Sequence, residues 1–210
     1  FRTNLDAKVN DKLVIGTNIF ISKSDAKSTI GDNSLFGVMI NALAADPTMP
    51  VFQEDGSYSN PFAYYSWWAL ENPVAAADLY KRNTVTNRFL GTVFGEYDIL
   101  DNIKFKSSYS ADYSYLKDVL HYPSNAAESW QSGVAGKGMF ANSEKFSLLT
   151  ENMLTYENTL DNKHHLNLLL VYTTQNASND YASIFAQNYS NDNLGALALA
   201  ADITDASTMG

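Results

Sequence analysis

The chain has 210 residues, enough for one domain of ordinary size, and its 45% hydrophobic content gives it apolar surface to bury, which excludes a disordered segment. Acidic residues outnumber basic ones 23 to 14, so the basic surface that a nucleic-acid partner requires is absent, and without cysteine there is neither a disulfide framework nor thiolate chemistry. No apolar run approaches a membrane helix; the richest, Leu168-Leu169-Leu170-Val171-Tyr172, is far too short.

In chain order, the first predicted element is a hairpin pairing residues 3–9 with 13–22 across Asn10-Asp11-Lys12. Side chains alternate across a strand. Leu5, Ala7 and Val9 therefore share one face, and Asn4, Asp6 and Lys8 the other. The returning strand sets Leu13, Ile15, Thr17, Ile19 and Ile21 against a mixed face of Val14, Gly16, Asn18, Phe20 and Ser22.

A long segment, 23–83, follows. Connections of that length carry function or elements of their own. Asp32-Asn33-Ser34 offers an N-cap to a short helix in which Leu35, Met39 and Leu43 share a face with Phe36 and Ile40, and Asp46-Pro47 stops it. Val51 to Tyr58 reads as a small hairpin turning at Asp55-Gly56. Next comes an aromatic cluster of Phe62, Tyr64, Tyr65, Trp67 and Trp68. Tyr64, Tyr65, Trp67 and Trp68 are candidate ligand-binding residues, a stacking platform for sugar rings. The alternative is that these rings pack the loop onto itself or onto a partner protein. Trp130, in a later loop, has the same two readings.

The second hairpin pairs 84–97 with 103–115 across Asp98 to Asn102. Phe89, Gly91, Val93 and Tyr97 oppose Arg88, Thr92 and Glu96. Ile103, Phe105, Tyr109, Ala111, Tyr113 and Tyr115 oppose Lys104, Lys106, Ser108, Ser110, Asp112 and Ser114. Residues 116–145 read as a second long loop. The third hairpin pairs 146–157 with 164–175, setting Leu148, Leu154 and Tyr156 on one strand and Leu166, Leu168, Leu170 and Tyr172 on the other. Asn152, Leu169 and Val171 break the alternation. Residues 176–210 read as loop. The chain opens at Phe1, just ahead of a strand, with no initiating Met and no signal peptide, so a fragment or a processed piece is expected.

Two architectures share this pattern. In a soluble sandwich the apolar faces meet in a core. In a membrane barrel they meet lipid, and the polar faces line a wet lumen. Long strands, ionisable groups in series on the polar faces and tyrosines at strand ends favour the barrel. The expected fold class is all-β: a segment of antiparallel transmembrane barrel with about six long strands and long extracellular loops. Arg88, Glu96, Lys104 and Asp112 are then lumen-facing, as solvated wall residues or as groups that tune what passes. His121, His164 and His165 lack metal spacing, Gly136-Lys137-Gly138 lacks the rest of a phosphate loop, and no catalytic triad or cofactor motif is present.

At these residues the chain resembles the SusC/RagA-type TonB-dependent receptors of Bacteroidota, in the barrel and not the plug. The stretches that carry the resemblance are RTNLDAKVNDKLVIGTNIFIS, MPVFQEDGSY followed by NP, TNRFLGTVFGEYDILDNIKFKSSYSADY, LTYENTLDNKHHLNLLLVYTTQ and NDNLG, in that order. The resemblance implies a 22-stranded barrel with a plugged lumen in the bacterial outer membrane, of which this chain supplies about six strands. It implies no enzymatic activity, uptake of oligosaccharides or peptides, a SusD-like surface lipoprotein as partner, and TonB–ExbB–ExbD acting through a plug that this stretch lacks. A passive porin and a soluble glycan-binding module are the alternatives. Six strands leave two open edges, which a bilayer does not tolerate, so the piece alone is not expected to insert.

Overall fold

The computed structural model describes residues 1–31, 34–64, 71–161, 163–192 and 200–209. Among them, seven strands form one antiparallel sheet in strict chain order. They are β1 (Arg2–Lys8), β2 (Leu13–Ser28), β3 (Lys81–Leu100), β4 (Ile103–Tyr122), β5 (Lys137–Leu160), β6 (His164–Tyr189) and β7 (Ala200–Met209). Up-and-down order follows from the three tight turns at one end. At the first, the Asn10 side chain accepts from the backbone N–H groups of Lys12 and Leu13, both at 2.9 Å. The second is Asp101-Asn102, beside a register irregularity between Asp98 and Leu100. The third contains Asp161 at φ 51°, a conformation that Asp tolerates better than most residues.

The sheet carries its sequence pattern on two clean faces. Register places Leu5, Thr17, Val93, Tyr109 and Thr150 on one rung, and Leu13, Tyr97, Phe105, Leu154 and Leu170 on another. Both rungs belong to the same face. Among the described residues no layer covers that face: Val93 is 54% exposed and Leu170 68%. Asn152, out of place by alternation, lies on this face and meets the Ser107 hydroxyl at 2.8 Å, so the intrusion is satisfied locally.

The strands run longer than their apolar stretches. β3 and β4 have 20 residues each, β5 has 24 and β6 has 26, where about 9–11 suffice to cross a bilayer. Much of 116–145, read from sequence as loop, is therefore the upper part of β4 and β5. Likewise 176–210 holds the rest of β6 and a seventh strand. The physical reason is visible on the apolar face. Above the rung Lys23–Asn87–Tyr115–Glu144–Asp180 it becomes mixed, with Lys117 and Asn142 beside Val119, Phe140 and Ile184, while backbone pairing continues unbroken. Where both faces are wet, alternation of apolar and polar residues is no longer required, and the sequence loses its strand signal.

The remaining connections are 29–80, 123–136 and 190–199. α1 (Val38–Ala44), a 3-10 turn (Pro61–Tyr64), α2 (Pro73–Leu79) and α3 (Ala127–Gln131) sit at the end of the sheet opposite the tight turns. The helix expected after Ser34 begins at Val38, its preceding residue Gly37 extended, and its expected caps Asp32 and Asn33 lie outside the described residues. The hairpin expected at 51–58 closes through a Phe52–Tyr58 bridge, with Gly56 at φ 82°. A small core of Ala76, Tyr80 and Ala126, packed by Ile30, Phe36, Val38, Leu79 and Tyr122, holds these pieces together. Among the described residues no helix is long and apolar enough to cross a membrane.

Candidate functional site

Arg88, Glu96, Lys104 and Asp112 fall on the second face of the sheet, together. Arg88 forms a two-pronged pair with Asp112, Nε to Oδ1 at 3.0 Å and Nη2 to Oδ2 at 2.6 Å. Lys104 reaches Glu96 at 2.9 Å, and Lys106 approaches the same carboxylate at 3.9 Å. Higher on the sheet, Arg82 repeats the motif on Asp118, at 3.0 and 2.6 Å, while the Thr84 hydroxyl donates to Asp118 at 2.8 Å.

All three pairs lie on one diagonal. Each joins a β3 residue to the β4 residue two positions short of its rung partner: Arg88 faces Ser114 but bonds Asp112, Arg82 faces Leu120 but bonds Asp118, and Glu96 faces Lys106 but bonds Lys104. Diagonal neighbours on a twisted pair are within reach of long side chains. Asp98, at 3.9 Å from Lys104, completes a set of four cations and four anions: Arg82, Arg88, Lys104 and Lys106 against Glu96, Asp98, Asp112 and Asp118. The ladder is polar, fixed and balanced in charge. Sequence reading found four of its members. Arg82 and Asp118 lay outside the strand bounds it set, although each stands six residues beyond a member that it named.

The two faces differ in kind. On the apolar face a shallow groove of about 710 Å³ is lined by Leu5, Ile15, Val93 and Tyr109 over Gly95 and Ser107. Its hydroxyls are used within the sheet, Thr17 on the Thr92 carbonyl and Ser107 on Asn152. The groove offers no polar anchor and belongs with the uncovered apolar surface.

The helical end carries the second group of candidates. Trp130, 42% exposed, stands edge-on to Phe62 at 6.3 Å between ring centroids. Tyr64 is half-buried at the end of the same 3-10 turn as Phe62. Tyr65, Trp67 and Trp68 lie outside the described residues. Loops distant in sequence thus bring at least two rings together. α1 also exposes Met39 and Leu43, and Leu35 is exposed in the turn before it.

Beneath these rings lies a polar knot that sequence reading missed. Glu71 is buried. Its Oε2 accepts from the Ala127 N–H at 2.6 Å and the Tyr80 hydroxyl at 3.1 Å, and its Oε1 from the Asn72 N–H at 2.9 Å. Its own N–H donates to Asn41 Oδ1 at 3.0 Å. Asn72 caps α2 and donates its amide to the carbonyls of Val51 and Ser59. Burial pushes the Glu71 carboxyl up, against the three donors that pull it down. A lone Glu in Leu70-Glu71-Asn72-Pro73 carries no periodic signal, and the α2 start at Asn72-Pro73 was not read from the sequence either. Among the described residues no group of His, Asp and Glu could hold a metal ion.

An unclosed antiparallel sheet with one uncovered apolar face, one charged face and loops gathered at one end defines a segment of an outer-membrane barrel. No family model matches the chain. TonB-dependent receptor P26 of Formosa agariphila is 28% identical over 195 residues, covering 93% of this chain and 19% of the relative. TonB-dependent receptor P3 of the same organism is 23% identical over 193 residues, covering 89% and 19%. The RagAB peptide importer matches in fold over 99% of this chain. Its closed-closed state gives a TM-score of 0.75 and its open-open state 0.76, each at 16% identity and covering 24% and 23% of that chain. The chain therefore spans about a fifth of the length of its curated relatives. Relatives and fold agree on a SusC/RagA-like TonB-dependent receptor segment.

Proposed function

We propose that this chain is part of the wall and outer cap of an outer-membrane importer, with a transport role and not an enzymatic one. The observation that carries the reading is the two-faced sheet: an apolar face with nothing over it and, behind it, a balanced ladder of ion pairs. Water does not tolerate so large an uncovered apolar face on a stable monomer, whereas hydrocarbon does. The soluble-module alternative has no partner layer for that face. The ladder, Arg88, Glu96, Lys104 and Asp112 included, then lines the lumen. Its charge balance suits a large polar solute of little net charge, an oligosaccharide or a peptide.

The cap supplies the rest. Phe62 and Trp130, with Tyr64, Tyr65, Trp67 and Trp68 as the further aromatic candidates, offer faces on which sugar rings or peptide side chains stack. The exposed apolar residues Met39 and Leu43 of α1, with Leu35 before it, suit a surface lipoprotein of the SusD type closing over the mouth. TonB–ExbB–ExbD would drive the cycle through a plug outside these 210 residues. The test is uptake by cells carrying the full-length receptor, with a panel of labelled oligosaccharides and peptides, before and after collapse of the proton-motive force. Energy-dependent uptake that falls when Trp130 is replaced by Ala supports the reading. Uptake that persists without energy indicates the passive-channel alternative.

A further inference from the structure

We infer that Glu71 is the positioning residue of the cap: a buried carboxylate that clasps loop 29–80 to loop 123–136 and thereby holds the Phe62–Trp130 pair. The inference rests on the cap being the ligand-facing end, as proposed above.

The clasp works in two directions from adjacent residues. Toward one loop, Asn72 holds the carbonyls of Val51 and Ser59, both flanks of the small hairpin that leads into the 3-10 turn bearing Phe62. Asn60 Oδ1, accepting from the Phe62 N–H at 3.0 Å, ties the ring's backbone to that hairpin. Toward the other loop, Glu71 takes the Ala127 N–H at the start of α3, the helix that carries Trp130. The Tyr80 hydroxyl closes the circuit, bonding Glu71 and accepting from the Glu128 N–H at 3.2 Å. Among the described residues the small core of Ala76, Tyr80 and Ala126 and the Phe62–Trp130 edge contact also join the two loops. Apolar contact is non-directional, so the polar circuit adds the fixed geometry, in a buried setting where each unmet donor costs most.

The surroundings fix the sign of any pH effect. Charged and titratable groups near the clasp are otherwise engaged. Asp78 of α2 accepts from the Tyr58 hydroxyl, Arg82 of β3 is paired with Asp118 of β4, and Glu128 of α3 faces Lys137 of β5 at 3.7 Å. Tyr122 of β4 stacks edge-on against Tyr80, and from α1 Glu71 meets only the neutral Asn41. Among the described residues no cation compensates the buried carboxylate, which burial holds above the ordinary glutamate value. A carboxyl with a raised value in the closed form favours that form fully below its open-state value. The advantage is lost as pH rises through the raised value. Acid should tighten the clasp.

The experiment places spin labels at Glu54→Cys and Gln131→Cys in the full-length receptor in nanodiscs and measures their distance distribution between pH 4 and 8. Wild type should narrow as pH falls. Glu71→Gln removes the charge but turns one accepting oxygen into an N–H donor, so its distribution should be independent of pH and somewhat broader than that of wild type at pH 4. Glu71→Ala should broaden the distribution severalfold. Tyr80→Phe, which keeps the ring in the core and removes one donor, should broaden it less, guarding against a Glu71→Ala that fails to fold. Unchanged distributions in both Glu71→Ala and Tyr80→Phe would overturn the inference. The distance is read independently of uptake, so a receptor that imported none of the panel would sink the proposed function and leave this test standing.

Discussion

Replacing Val93 with Arg puts the facing assignment at risk in a single residue. Val93 is on the apolar face, midway along the outward stripe of β3 that runs from Phe89 to Ile99. Ten steps at about 3.3 Å, tilted by about 40°, give a band roughly 25 Å tall. Val93 lies about 13 Å along the strand from one end and about 20 Å from the other, or about 10 and 15 Å in depth at that tilt, close to the mid-depth of a bilayer. An Arg there should cost about 2–4 kcal/mol, roughly thirty-fold to several hundred-fold in the folded-to-unfolded ratio. Leu90→Arg is the control. Leu90 is three residues away on the opposite face, on the same rung as Asp112. A new cation beside that carboxylate, in a wet lumen, should cost little. The assay is urea unfolding of the full-length receptor folded into lipid vesicles, comparing the two variants with wild type. If Leu90→Arg costs as much as Val93→Arg, the faces are wrongly assigned and the ladder is not lumenal.

Other perturbations follow from individual contacts. Asp118→Ala strands the Thr84 hydroxyl and frees the half-exposed Arg82. Because Arg82 can be hydrated again, the loss should be about 1–2 kcal/mol, read as faster amide exchange in the upper halves of β3 and β4. Asn72→Ala removes both the α2 cap and the hold on Val51 and Ser59, and should cost about 2 kcal/mol and open residues 51–60 to protease in the intact receptor. At Gly16 an added Cβ would collide with the Asp6 carboxylate and the Phe94 ring. Gly16→Ala should therefore displace Phe94 from its place under Lys106, 4.5 Å away, at about 1 kcal/mol since the ring can swing into the lumen; a crystal structure with Phe94 unmoved would refute this.

What the sequence disclosed depended on where each residue meets its solvent. The tight turns, the six long strands and the face of Arg88, Glu96, Lys104 and Asp112 were readable because a bilayer forces alternation on the band it contacts. Asn142 to Lys145 and Asn176 to Asp180 carry no such pattern, although β5 and β6 pair there without a break. At the pairs Glu144–Asp180 and Lys145–Asn179 both faces are polar, and Asn176 and Ser178 stand opposite Leu148 and Phe146 without alternating themselves, so the backbone hydrogen bonds define the strand there. β7 is hidden for the same reason: Ala200–Met209 is rich in Ala, Asp, Ser and Thr and pairs only with the upper part of β6. The cap was less legible still. Leu35, Met39 and Leu43 have helical spacing, yet the helix buries Asn41 instead. Glu71 could be found only by folding the loops, because its donors come from Asn72, Tyr80 and, 56 residues away, Ala127.

The two polar systems of this chain solve opposite problems. The ladder on β3 and β4 is mostly half-exposed, and exposed ion pairs add little to stability. Its value lies in what it cancels. Arg82, Arg88 and Lys104 each bond a carboxylate on the diagonal, and Lys106 stands on the rung of Glu96, so on the proposed reading the ladder would offer a solute hydrogen-bonding groups without net charge. The Glu71 circuit is buried and lacks a counter-cation, and it depends on every donor being in place. A wall should be indifferent to the position of its cargo, whereas a cap must hold one geometry. The dispersed, redundant pairing of Arg82, Arg88 and Lys104 suits the first requirement. The single carboxylate joining Asn72, Tyr80 and Ala127 suits the second.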